Sequence, residues 1–147
     1  MSNFYGKTRT NYFCVTDENA LRDIISRACG SEDTVHLHVE QTISGEKKFM
    51  FLCGSEILGF PETDESGEVY EDCDYSFDEF TAALQKILPE NEAIIITEVG
   101  NEKMRYLLGC VTVVTRNEIK YENLRSLGIN IARELLKDES WDTKNEY

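Results

Sequence analysis

His36 and His38 lie two positions apart in the alternating run TVHLHVEQ. On a strand that spacing projects both rings from one face, as two ligands of a metal ion would be held. A turn at Ser44-Gly45 would bring Cys53 of KKFMFLCG beside His36 as a third ligand. No fourth ligand is evident, no Cys-x-x-Cys occurs, and Phe49 and Phe51 are expected on the same face. The pair therefore reads as two histidines on a half-exposed hairpin, and no metal is expected. Aligning Gly67 with the glycine of an EF-hand loop sets Glu62, Asp64 and Ser66 at the first three ligand positions, but the position that needs a bidentate glutamate is Cys73. Nucleophilic chemistry fares no better. Cys14, Cys29 and Cys110 sit in apolar runs as small core residues do, and Cys73 lies among carboxylates, with no base beside it in the sequence. The nucleophile-elbow, phosphate-loop and dinucleotide-binding glycine patterns are absent. No catalytic residue, enzyme activity or cofactor is expected.

Charge carries the strongest signal. The 147 residues hold 28 acids against 15 Lys and Arg, a formal net charge of −13. Between Phe49 and Gln85 there are ten acids and no Lys or Arg, so 37 residues carry −10 of that total. A chain so acidic repels phosphates, which excludes direct binding to nucleic acid or to an anionic membrane. The segment has two readings. One is a solvated loop that keeps the protein soluble. The other is an electrostatic footprint for the basic surface of a protein that handles nucleic acid. In the second, the contact residues are Glu62, Asp64, Glu65, Glu68, Glu71, Asp72, Asp74, Asp78 and Glu79, with Tyr70 and Tyr75 interleaved as anchors.

The elements that must position these groups follow from periodicity. Residues 11–15 (NYFCV) read as a strand, followed by a helix start at Thr16-Asp17 and apolar positions Leu21, Ile24, Ile25 and Ala28 at helical spacing, with Gly30 as its C′ residue. Residues 34–54 alternate about Ser44-Gly45 and predict a hairpin; residues 57–60 predict a short strand stopped by Pro61. Residues 62–75 predict an exposed acidic loop. Ser76 and Glu79 form a capping box for a helix that Pro89 ends. Residues 92–99 are almost continuously apolar, as a central strand covered on both faces would be, and 105–115 should pair with them. A last helix over 122–137 carries Leu124, Leu127, Ile131 and Leu135 on one side, and residues 138–147 form a polar tail anchored by Trp141.

Strands arriving in adjacent hairpins predict an α+β fold over residues 1–147, a single domain with a mostly antiparallel sheet and about three helices packed on one face. No stretch approaches the ~18 apolar residues of a membrane span. Five cysteines without a pairing framework, and no apolar leader at the start, predict reduced thiols and a cytoplasmic protein.

Two stretches, TRTNYFCVTDENALRDI and EAIIITEVGNEKMRYLLGCVTVVT, resemble a group of small acidic proteins carried by bacterial conjugative elements and phages. Their genes often accompany anti-restriction and anti-CRISPR proteins, several of which are acidic and mimic the charge of DNA. The resemblance implies a non-enzymatic inhibitor acting on a host nuclease, and it carries over no individual binding residue. The alternative expectation is an accessory interaction module without mimicry, a homodimer through the Phe49/Phe51 face; a small metal-binding or enzymatic domain stands third.

Overall fold

A computed structural model describes residues 5–70, 73–102 and 106–143. In chain order the elements are β1 (Tyr5–Thr10), α1 (Glu18–Arg27), β2 (Cys29–Gly30), β3 (His36–Gln41), β4 (Lys47–Cys53), β5 (Ile57–Pro61), β6 (Tyr75–Ser76), α2 (Phe77–Gln85), β7 (Ala93–Glu102), β8 (Tyr106–Thr115), β9 (Ile119–Asn123) and α3 (Leu124–Leu136). The fold is α+β. A six-stranded sheet runs β3-β4-β1-β7-β8-β9, a small sheet runs β2-β5-β6, and every pairing is antiparallel.

The first strand lies earlier than its apolar content predicts. Tyr5–Thr10 is mostly polar, yet it fills the slot between β4 and β7. Thr8 and Thr10 face the core, and both hydroxyls find backbone acceptors there, the Thr8 one on Ser55 at 3.1 Å. Only Phe13 of the expected 11–15 strand pairs, through an isolated bridge to Phe49. α1 begins where Asp17 accepts from the Ala20 N–H at 3.0 Å and ends at Ala28 in extended backbone rather than at a left-handed Gly30. Gly30 instead belongs to β2, where a Cβ would lie 2.3 Å from the Asp33 carbonyl.

The core lies between one face of the large sheet and helices α1 and α2. Leu21, Ile24 and Ile25 of α1 meet Phe80 and Leu84 of α2 over Phe51, Ile94, Ile96 and Val114. Edge-on rings run through it: Phe13 to Phe51 at 6.0 Å, Phe51 to Phe80 at 5.7 Å and Phe60 to Phe80 at 5.7 Å. Such pairs add about 0.5–1.5 kcal/mol each beyond their burial.

Two expectations need correction. The β7 strand is covered on one face, not two: Ile94 and Ile96 are buried, whereas Ile95 is 40% exposed. The three helices also do not share a face. α1 and α2 cover Ile94 and Ile96. α3 crosses the opposite side at Gly109, the β8 partner of Val99, where an added Cβ would come within 2.3 Å of the Leu124 side chain. The missing Cβ leaves room for the Leu124 side chain as it lies. α3 contributes no buried residue, and Leu124, Leu127, Ile131 and Leu135 all stay exposed. The segment after it folds back on the helix, with Arg133 donating to the main-chain carbonyl of Trp141 at 2.7 Å.

Candidate functional site

The acidic segment is more ordered than its composition predicts. Pro61 pairs with Tyr75 in β5-β6, and the ladder continues outward as the Glu62 N–H donates to the Asp74 carbonyl at 2.8 Å. Beyond it, Thr63 bridges Val69 and the Asp64 N–H donates to the Glu68 carbonyl at 2.7 Å. The tip closes on Asp64. One of its carboxylate oxygens accepts from the Ser66 N–H, the Ser66 hydroxyl and the Glu68 N–H at 2.6–3.0 Å. Gly67 follows at φ +85°, a conformation glycine adopts without Cβ strain. The Ser66 hydroxyl and the Glu68 N–H hold the Asp64 carboxyl below its ordinary range, so it stays ionised.

Tyr70 donates its hydroxyl to Glu62 at 3.0 Å, tying one anchor ring to one carboxylate, and that bond pushes the phenol upward. Tyr75 is exposed beside Cys73, whose proximity raises its phenol. At the other end Ser76 caps α2 by accepting from the Glu79 N–H at 3.1 Å. The cap sets Asp78 and Glu79 in the first turn, where the helix dipole favours negative charge. Gly59 holds the two halves together. Its φ is +108°, and a Cβ there would lie 2.2 Å from the Ser76 carbonyl oxygen.

Glu62, Asp64, Glu65, Glu68, Asp74, Asp78 and Glu79 are all exposed, as are Tyr70 and Tyr75; Glu71 and Asp72 lie outside the described residues. The ion pairs among the described residues lie elsewhere: Glu18 with Arg22 and Lys47, Asp23 with Arg27, and Asp33 with His36. The fold thus gathers the predicted carboxylates on one hairpin and one helix start and leaves their charge uncompensated.

The other sequence candidates come apart. His36 pairs with Leu52, not Cys53, and the period-two alternation sends Cys53 to the opposite face, where it is 2% exposed against the core. Phe49 and Phe51 are likewise buried, at 3% and 0%, so they offer no dimer surface. No group of three or more metal-ligating side chains occurs among the described residues. The Asp64 oxygen that an EF-hand would give to calcium is spent on the turn. Cys14, Cys29 and Cys110, expected in the core, are only partly buried.

A pair of carboxylates that sequence inspection passed over lies elsewhere. Glu98 is on β7, and the alternation that buries Ile94 and Ile96 turns it inward too, opposite Cys110 of β8. Glu56, in the turn before β5, lies close enough to act on its charge. The parity of EAIIITEV held that signal, but the apolar run hid it. Among the described residues no helix is long and apolar enough to cross a membrane.

Comparison of the chain with protein-family models, with curated proteins and with solved structures yields no match. The functional reading therefore rests on the chain's own geometry.

Proposed function

We propose that this is a non-enzymatic, acidic binding protein that presents the 62–79 segment to the basic surface of a nucleic-acid-handling protein. In its specific form it is a DNA-mimicking inhibitor of a host defence nuclease that acts in the cytoplasm. The observation that supports this is order. A mimic of a phosphate backbone needs carboxylates carried on an ordered backbone, and the Asp64 turn, the Tyr70–Glu62 bond and the Ser76 cap support that order here. Lys and Arg spaced to grip phosphates would meet exposed carboxylates that make no ion pair among the described residues, which speeds encounter more than it deepens affinity. The test is capture of a partner from host lysate, followed by association rates at several ionic strengths. Duplex DNA in excess should displace the protein from that partner. Changing Glu65, Glu68 and Asp74 to Gln or Asn should slow association and flatten its salt dependence. Unchanged rates and an unchanged salt slope would reduce the segment to a solvated surface.

A second reading, an interaction module that pairs with its own copy, is favoured by a separate surface. Leu124, Leu127, Ile131 and Leu135 line α3, and Ile95, Val99 and Leu107 extend that apolar area across β7 and β8; their exposures run from 40% to 78%. Taking ~120 Å² for a fully exposed aliphatic side chain, this comes to something on the order of 400 Å² per copy. A polar rim would bring that toward the ~800 Å² per partner of an ordinary interface. The same sheet face carries exposed Lys7 and Arg9, which a symmetric partner could meet with Glu134 of its α3. Light scattering should give a dimer whose stability is indifferent to salt, and Leu127→Glu with Ile131→Glu should dissociate it. A wild-type monomer across the micromolar range rejects this surface.

A further inference from the structure

A cleft of about 310 Å³ opens between the inner face of β7-β8 and the small sheet. Its walls are apolar where Ile57, Leu58, Phe77 and Leu108 line it, and Tyr121 of β9 closes one side. Into it project two carboxylates, Glu56 and Glu98. Glu98 is held at one oxygen only: Oε2 takes a long 3.6 Å contact from the Cys110 thiol. The other oxygen, Oε1, is shielded from solvent and has no hydrogen-bond partner among the described residues.

A buried carboxylate oxygen without a donor costs about 1–3 kcal/mol or more, so native structures seldom leave one idle. A small polar cleft would satisfy it with water. Water can enter a cleft of about 310 Å³ but brings no positive charge to two carboxylates, and that size falls at the lower end of small-ligand pockets, which run from roughly 300 Å³ upward. Two carboxylates in one cleft also repel each other. Burial, and then the charge of Glu56, push the Glu98 carboxyl upward. Both the missing donor and the repulsion are cured by the same occupant, a positive group carrying N–H donors. The walls add the rest of the description. Phe77 and Tyr121 bring aromatic rings to the lining, where a cation can be met, and the aliphatic side chains suit a short hydrocarbon stem.

We propose that this cleft binds an alkylguanidinium or alkylammonium group, with the Glu98 carboxylate, turning to present its unpartnered oxygen, as the principal acceptor and Glu56 as the second carboxylate. The occupant is either a free amine or guanidine, or the tip of an Arg or Lys side chain. The site is distinct from the exposed acidic hairpin and does not depend on that segment's role. Selectivity follows from its build: a cation without a stem leaves the apolar walls uncovered, and a stem without charge leaves Oε1 unpaired.

The test uses the full chain, labelled with nitrogen-15, titrated with n-butylguanidinium, n-butylammonium, guanidinium alone, n-butanol and a blocked arginine (N-acetyl, N′-methylamide). The two butyl cations should give saturable shifts at the amides of Glu98, Cys110 and Tyr121. Guanidinium and n-butanol should bind roughly tenfold or more weakly. Glu98→Gln should weaken the butyl cations by a similar factor while keeping the dispersed spectrum of a folded protein. Glu56→Gln serves the same purpose if the first variant does not fold. Glu68→Gln, on the hairpin, should change nothing at these amides. Binding of the blocked arginine as well as the butyl cations assigns the site to side chains; binding of the free cations alone assigns it to small molecules. Equal binding of n-butanol, unaltered binding by both glutamine variants, or shifts confined to the acidic hairpin would overturn the proposal.

Discussion

Ile94 and Ile95 are adjacent in β7 and identical in type, so truncating each to Ala isolates burial from every other variable. Ile94 is fully buried, among the α1 and α2 side chains that form the core. Its loss removes the transfer free energy of three carbons and leaves a void that close-packed neighbours fill only in part, which sets the cost at about 2–5 kcal/mol. Ile95 is 40% exposed on the opposite face. Full burial of an aliphatic side chain is worth about 1.5–3 kcal/mol, so the share still in contact is worth roughly 1 kcal/mol, and solvent rather than a void takes the vacated space. Lost strand propensity adds some tenths of a kcal/mol. The expected difference is therefore about 2 kcal/mol or more. Urea denaturation measures it, with the slope checked for constancy so that the shift in midpoint reports stability alone. Equal losses at the two positions would mean that β7 is covered on both faces and that the α3 side of the sheet is closed. That outcome would remove the surface proposed for self-association at the same time.

Glu98 carries a pH signature. Burial and Glu56 raise its carboxyl pKa in the folded chain, so its contribution to stability is fully present below the unfolded value of about 4.3 and is lost as pH rises through the folded one. The advantage of Glu98→Gln over wild type in urea melts should then be smallest in acid and grow toward neutrality; a difference flat with pH would contradict it. Gly59→Ala forces a Cβ to within 2.2 Å of the Ser76 carbonyl at φ +108° and should cost more than about 3 kcal/mol, combining backbone strain with collision. Gly67→Ala, at φ +85° with open space around it, should cost about 1–2 kcal/mol, from strain alone; comparable melting losses for the two would refute the close approach. Asp64→Ala removes the acceptor of three hydrogen bonds and should raise amide exchange at Ser66 and Glu68, whereas Asp64→Asn should keep most of that protection.

How much of this was legible in the sequence varies by element, for physical reasons. The capping box at Ser76, the α1 stripe and the 34–54 hairpin were readable because each depends on neighbours within a few positions. β1 was not, since YGKTRT is a strand only because β4 and β7 supply partners on both edges. The short β9 strand, IKYEN, is illegible for the same reason: only its last two residues fall within the expected 122–137 helix, and its pairing with β8 outweighs its polar composition. Register decided the rest. One residue of slip separates His36 opposite Cys53 from His36 opposite Leu52, and in a strand one residue is the difference between the two faces. The acidic site was legible as composition, whereas its rigidity depends on hydrogen bonds to one oxygen of Asp64 that no count of charges reveals.

The two sets of carboxylates in this fold differ in what water does for them, and that separates the roles they can take. On the hairpin, water solvates Glu65, Glu68 and Asp74, so their mutual repulsion is modest and is screened within roughly 8 Å at physiological salt. Such charges guide a partner's approach and can be shed from the interface at little loss. In the cleft, water is largely excluded from Glu98 Oε1, and the same charge becomes costly until a donor arrives. A group in that state discriminates strongly among ligands, because only an occupant with N–H donors relieves it. The hairpin is thus suited to attracting a broad class of basic surfaces, and the cleft to selecting one chemical group. A partner that presents both a basic face and one protruding cationic side chain would use them in that order, with a salt-dependent encounter followed by a salt-insensitive lock.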